Sequence, residues 1–214
     1  HTEISYKIDR PIVIGHMLGE VEKNKLVTNS RAYPGDDLLL TKGIAIEGTA
    51  IIAREKASEI REKFGSRFTK KAQTFMDKPG LSVVKDALLA NKVAQVHAMH
   101  DPTEGGLATG LFELTKASAT GAIIDMEKIP CYKETEQICT LYNILPLGLI
   151  ASGSLLIALD PKDTKKVIDT LAKNGIACTR IGKLTQKSEG LKLLKKGRLV
   201  KIPTFKVDEL TKIL

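Results

Sequence analysis

The chain predicts an α+β domain: a mixed sheet with helices packed on it, in a three-layer α/β arrangement. Three observations lead there. Short apolar runs of strand length alternate with longer runs of helical periodicity across the 214 residues. Turn-forming Pro and Gly residues punctuate the runs. Hydrophobic residues make up 43% of the chain while aromatic residues are only 4% and Trp is absent, so the core must be built from Leu, Ile, Val and Ala.

Residues 11–19 read as a strand. Tyr33-Pro34-Gly35-Asp36 is a turn, with Pro at the first corner and Gly at the second. Residues 37–42 form the next strand. A helix over 47–64 follows, with further helical runs at 66–76 and 80–91. The apolar run 93–96 reads as a strand, and Leu111-Phe112-Glu113-Leu114-Thr115 lies on an amphipathic helix. Then come a strand at 121–126, a helix at 135–143 and a buried strand at 154–159. The helix at 161–174 ends at Gly175, the position where helices favour glycine. A strand at 176–181, a basic hairpin turning at Gly197 and a short C-terminal helix complete the order. No repeat is evident. The first thirty residues read as an opening segment whose strands pair with something outside the chain, and a start at His1 rather than Met reads as a piece of a longer or processed protein.

Composition narrows the function classes. The net charge is +8, but the lysines are interspersed with acids, and the densest basic stretch, residues 191–201, contains no aromatic residue. It reads as a solvated hairpin face and not as a nucleic-acid stacking platform. No apolar run reaches the roughly 20 residues of a membrane span. Cys131, Cys139 and Cys178 are odd in number and widely spaced, which predicts neither a zinc site nor a disulfide framework and fits a reducing cytoplasm. His97 and His100, three apart on a strand, point to opposite faces and share no metal.

The residues that carry most information are Asp101-Pro102-Thr103-Glu104-Gly105-Gly106, between a strand and a helix. Such a turn presents backbone N–H groups and a positive dipole end, a common anion-binding device. A capping box, with Asp101 as N-cap, Pro102 first in the helix and Glu104 reciprocating, explains three of the six. It leaves Gly105 and Gly106, each costing about 1 kcal/mol inside a helix. Paired glycines predict a close approach to the backbone by a ligand or another segment. Because Asp101 and Glu104 repel a bare phosphate, a magnesium ion or lysines from elsewhere would have to accompany it.

Two more loops are candidates. Lys42-Gly43 through Glu47-Gly48 joins a strand to a helix. Gly43 and Gly48 have P-loop spacing, but Thr49 and Ala50 stand where Lys and Ser/Thr belong, so a P-loop is rejected, and Glu47 complementing the helix dipole explains the segment equally well. Ser152-Gly153-Ser154 precedes a strand and reads as an anion nest or as an ordinary turn. No catalytic triad and no acid/base carboxylate pair is evident.

Together, residues 34–43 with 47–50, then 100–108, then 152–157 resemble the aminoimidazole ribonucleotide (AIR) synthetase, or PurM-like, superfamily, nearest to the hydrogenase-maturation HypE branch and its AIR-synthase-related relatives. The resemblance implies a PurM C-terminal-type fold related to the ferredoxin-like fold, with residues 11–214 as that domain and 1–10 as a remnant of an N-terminal ATP-binding domain or a linker. Members use ATP to phosphorylate and activate an amide-type oxygen in a cleft between two domains, and they dimerise through the N-terminal one. On this resemblance Asp101, Thr103, Glu104, Gly105 and Gly106 face the cleft, with Ser152, Gly153 and Ser154 beside them and Lys42, Gly43 and Glu47 at the helix start. The Gly105 and Gly106 amides would meet developing negative charge. ATP and Mg²⁺ are implied for a full-length protein containing the missing N-terminal domain and acting on a small-molecule substrate, with none tightly bound to this chain, which would be inactive alone. In the HypE branch Arg usually stands at the place of Glu104 and the chain closes on a Cys, whereas this chain closes on Leu214. Those departures favour the alternative, a non-catalytic ligand-binding or regulatory module of the same fold.

Overall fold

Seven strands form one sheet in the computed structural model, which describes residues 12–214. The segment 1–10, expected as a remnant or linker, lies outside the described residues, as does Pro11. The strands are β1 (Asp37–Thr41), β2 (Val96–His100), β3 (Gly121–Asp125), β4 (Leu156–Leu159), β5 (Cys178–Thr185), β6 (Leu191–Lys195) and β7 (Arg198–Lys201), in the spatial order β2-β4-β1-β5-β3-β6-β7. Only β3 and β6 pair in parallel, so the sheet is mixed, as the sequence predicts.

Both faces of central β1 are covered, which is why all five of its residues are buried. On one face Leu38 and Leu40 meet Leu107, Leu111 and Leu114 of α5 (Gly106–Ser118). On the other, Leu39, Ile157 and Leu159 meet Ala90 of α4 (Val84–Val93) and Val167 and Leu171 of α7 (Pro161–Lys173). Alternate residues of one strand thus serve opposite layers. A further cluster joins α1 (Ile46–Glu55), α2 (Ala57–Phe64), α3 (Ser66–Gln73) and α6 (Lys133–Leu141) through Ile52, Ile60, Ala72 and Ile138. The core is almost entirely aliphatic; among the described residues Phe75 is its one buried aromatic side chain.

Several local expectations are corrected. Residues 12–19 carry no strand, and their apolar side chains stand in solvent, with Val13 91% and Met17 94% exposed. The helix expected over 47–64 is two helices, broken at Lys56, whose backbone (φ −105°, ψ 30°) leaves the helical region. The run 93–96 is divided: Val93 closes α4, Ala94 is extended, and β2 begins only at Val96. An apolar run of that length fits the last turn of a buried helix as well as a strand. The predicted turn at 33–36 is present, with the Asp36 N–H donated to the Tyr33 carbonyl at 3.2 Å, and Gly197 turns the β6–β7 hairpin.

Candidate functional site

The sheet order explains why three loops distant in sequence become neighbours. β4 lies between β1 and β2 and is antiparallel to both, with Leu156 opposite Leu40 on one side and His100 on the other. The segment entering β4 therefore sits beside the segments leaving β1 and β2. Hydrogen bonds join them: the Ala151 N–H donates to the Thr103 carbonyl at 3.2 Å, the Gly48 N–H to the Ile150 carbonyl at 3.2 Å, and the Leu155 N–H to Thr41 Oγ1 at 3.0 Å.

The loop 101–106 is not a capping box. Helix α5 starts at Gly106, its N-cap is Gly105 in the left-handed region (φ 73°), and no side chain of the cap residue closes it. Asp101 and Pro102 lie before the helix, and Pro102 is buried against Gly110. The two glycines have a backbone reason. Both have positive φ, and a Cβ on Gly106 would lie 2.5 Å from the Leu147 carbonyl oxygen and 2.7 Å from that of Leu149. The close approach predicted for this pair is made by the chain itself at Gly106.

The amides expected to face negative charge are also engaged within the chain. The Gly106 N–H donates to the Thr103 carbonyl at 3.0 Å. The Gly105 N–H donates to Asp208 Oδ2 at 2.7 Å, so a carboxylate from the C-terminal segment occupies the anion position of the α5 N-terminus. Asp208 Oδ1 accepts the Leu210 N–H at 2.8 Å, and the adjacent buried Glu209 accepts the Leu145 N–H at 2.9 Å, anchoring the segment on the 145–149 loop. Sequence reasoning missed Asp208: Asp before a short helical turn signals only its local cap.

The remaining candidate residues divide into outward and inward groups. Asp101, Thr103 and Glu104 are exposed, and Ser152 and Glu47 half-buried. Gly153 and Ser154 are buried, and the Ser154 hydroxyl donates to the Ala151 carbonyl at 3.0 Å, so it serves the loop. Gly43 is buried against Tyr132. Lys42 is turned inward: its Nζ donates to the Ser82 carbonyl at 2.8 Å and lies 3.5 Å from Asp86 Oδ1, with both side chains under 9% exposed. Burial lowers the Lys42 pKa below its ordinary value, and Asp86 opposes that shift. Asp86, on α4, is a second residue that sequence reasoning missed.

What the loops present outward is thus carboxylate and hydroxyl. These groups suit a ligand's hydroxyls or amines, or a hydrated cation, and they do not suit a bare triphosphate. Among the described residues no group of three or more His, Cys, Asp or Glu is placed to hold a metal ion. His97 and His100 have separate partners, Asp36 at 2.9 Å and Glu113 at 2.9 Å. The three cysteines are free, and burial pushes the Cys131 and Cys178 thiols up to about 12 and that of Cys139 higher still. Among the described residues no helix is long and apolar enough to cross a membrane.

The family model for the C-terminal domain of AIR synthase related proteins matches residues 33–193. The chain belongs to that family. It is similar to a putative hydrogenase expression/formation protein of Methanocaldococcus jannaschii, with 25% identity over 192 residues that cover 89% of the chain and 54% of the relative. It is also similar to the carbamoyl dehydratase HypE of Cupriavidus necator, with 27% identity over 171 residues that cover 79% of the chain and 46% of the relative. A solved HypE hydrogenase maturation protein in complex with ATP shares the fold at a TM-score of 0.64 and 19% identity, covering 90% of the chain and 57% of that structure. The chain spans about half the length of the curated relatives it matches. All three motifs that carried the resemblance lie inside the matched region, and Gly106 of the central loop packs directly against the Leu147 and Leu149 carbonyls.

Proposed function

We propose that this chain is the C-terminal domain of an ATP-dependent, HypE-like AIR-synthase-related enzyme and forms one wall of an interdomain cleft for nucleotide and substrate. One observation carries the reading: the loops 42–47, 101–106 and 152–154 meet at one end of the neighbouring strands β1, β2 and β4 while their cation and their two glycine amides are engaged internally. A surface of exposed Asp101, Thr103 and Glu104 with half-buried Ser152 can orient hydroxyls or amines, but the groups that hold a triphosphate must come from another half. The exposed apolar side chains of residues 12–18 support a missing N-terminal domain as that half. The related HypE solved with ATP supports the nucleotide.

In this reading ATP supplies the phosphoryl group that activates a substrate oxygen. Asp101 and Glu104 hold a ligand amine or the water shell of an accompanying Mg²⁺, Thr103 and Ser152 orient ligand oxygens, and Glu47 sets the charge of the α1 N-terminus. By the same resemblance the full-length protein is a cytoplasmic homodimer acting on a small-molecule substrate. The alternative, a non-catalytic binding or regulatory module, is favoured by one feature: Asp208 fills the position an anion would take at Gly105.

Calorimetric titration of Mg-ATP into this chain and into the full-length gene product that carries it separates the two. The enzyme reading expects the full-length protein to bind, the chain alone to bind poorly, and Asp101→Ala with Glu104→Ala to weaken binding in the full-length protein. A full-length protein that ignores ATP supports the binding module instead.

A further inference from the structure

We propose that the cavity between α3, α4 and the Lys42 loop binds a small organic phosphate with a flat apolar body. The cavity has a volume of about 720 Å³, within the size range of small-molecule sites. Four lysines line it, Lys42, Lys71, Lys78 and Lys85, against one acidic residue, Asp86. Two of the four are neutralised: Lys42 by Asp86 at 3.5 Å and Lys71 by Glu134 at 2.6 Å. Among the described residues Lys78 and Lys85 have no carboxylate within 4.0 Å, and Lys85 reaches only the Asn174 carbonyl, at 3.2 Å. Two uncompensated lysines lining one cavity match a dianion better than a monoanion.

The inner wall supplies the other half of the recognition. The half-buried Tyr132 ring lines the cavity, backed by the buried Phe75 ring at a centroid distance of 5.0 Å, and Ile176 adds a smaller apolar edge. The floor is built with effort. Lys42 is held in the left-handed region (φ 58°), disfavoured for a residue with a side chain, while its N–H donates to the Ala177 carbonyl at 2.7 Å. That backbone directs the ammonium to the Ser82 carbonyl at 2.8 Å and to the buried Asp86 Oδ1 at 3.5 Å. A left-handed backbone that places a buried ion pair at a cavity floor is a kind of strain that clusters at functional sites. The cavity is separate from the outward groups Asp101, Thr103 and Glu104, none of which lines it, so the inference does not rest on the interdomain cleft.

The test is an amide NMR titration of the chain, without ATP or magnesium, using phenyl phosphate, benzoate, inorganic phosphate and phenol. Phenyl phosphate is expected to give saturable shifts confined to residues 74–86, Tyr132 and Ile176, with affinity about tenfold or more above each of the others. Lys78→Glu with Lys85→Glu, both exposed positions, is expected to cost about tenfold or more in affinity while the spectrum stays dispersed, and Lys116→Glu on α5 to change nothing. Lys78→Met with Lys85→Met repeats the test without introducing negative charge. The proposal is overturned if phenyl phosphate produces no saturable shifts, if the shifts survive either double substitution, or if benzoate binds as tightly. Because no nucleotide and no second half is present, such a failure leaves the interdomain reading standing.

Discussion

The Asp208 carboxylate accepts the amide N–H of Gly105 at 2.7 Å across 103 residues of sequence, closing the α5 N-terminus with a charge from the far end of the chain. One of its oxygens caps α5 and the other caps Leu210. Charge-assisted bonds of this kind contribute roughly 1.5–3 kcal/mol. Asp208→Ala is expected to lower the unfolding free energy by about 2–3 kcal/mol and Asp208→Asn by less, since the amide keeps one acceptor. Urea denaturation checks both; a loss below about 0.5 kcal/mol for Asp208→Ala would mean that water replaces the carboxylate without penalty.

Gly105 and Gly106 are adjacent but not equivalent. Both need positive φ, which costs a residue with a Cβ roughly 1–2 kcal/mol. At Gly105 the added methyl meets Thr109 Oγ1 at 2.2 Å, which rotation relieves, and Thr109 Cβ at 2.9 Å, which needs a shift of a few tenths of an ångström; at Gly106 it meets two backbone carbonyl oxygens at 2.5 and 2.7 Å, which cannot turn away. Gly106→Ala is therefore expected to cost about 2–5 kcal/mol and Gly105→Ala no more than about half of that. Thermal melts of the two variants decide the order, and equal losses would contradict the packing described.

The Lys42–Asp86 pair is buried on both sides. Removing one partner strands the other charge, so Lys42→Met is expected to destabilise by about 3–5 kcal/mol. Lys42→Met combined with Asp86→Leu should recover most of that loss, because an apolar pair has no charge to solvate. A double-mutant cycle in urea measures the coupling, and additive losses would show that the two charges act separately.

The thiols predict an alkaline limit. Cys131 and Cys178 ionise near 12 when folded, against an ordinary value of 9.0, because burial penalises the thiolate. A pKa raised by folding gives stability that is complete below the unfolded value and is lost as pH rises through the folded one. Stability should fall between about pH 9 and pH 12, and less steeply in Cys131→Ala with Cys178→Ala. At pH 8 an aromatic disulfide reagent should label the native thiols at least about tenfold more slowly than the unfolded ones. Equal rates would place these sulfurs in contact with water.

The alternation of strands and helices, the aliphatic core and the turn at Pro34–Gly35 were legible because each depends on residues a few positions apart: side-chain period, branching and the φ of Pro and Gly. The loop at 101–106 was legible for the same reason, since paired glycines announce an unusual backbone wherever they fall. Where local signals were ambiguous, packing decided. Val93 completed a helix and not a strand because it packs beneath the sheet with Ala90, and the apolar residues 12–18 found nothing in the described chain to pair with.

The sequence by itself determined the fold class, the family and the three loops that carry the resemblance. Only the tertiary structure decided what those loops do with their polar groups. Once β4 lies between β1 and β2, the 147–149 carbonyls press on Gly106, Asp208 reaches the Gly105 amide, and the Lys42 ammonium turns to Asp86 instead of outward. No local pattern encodes those pairings, because the partners lie tens of residues apart and meet only when burial of the sheet's two faces sets the strand order.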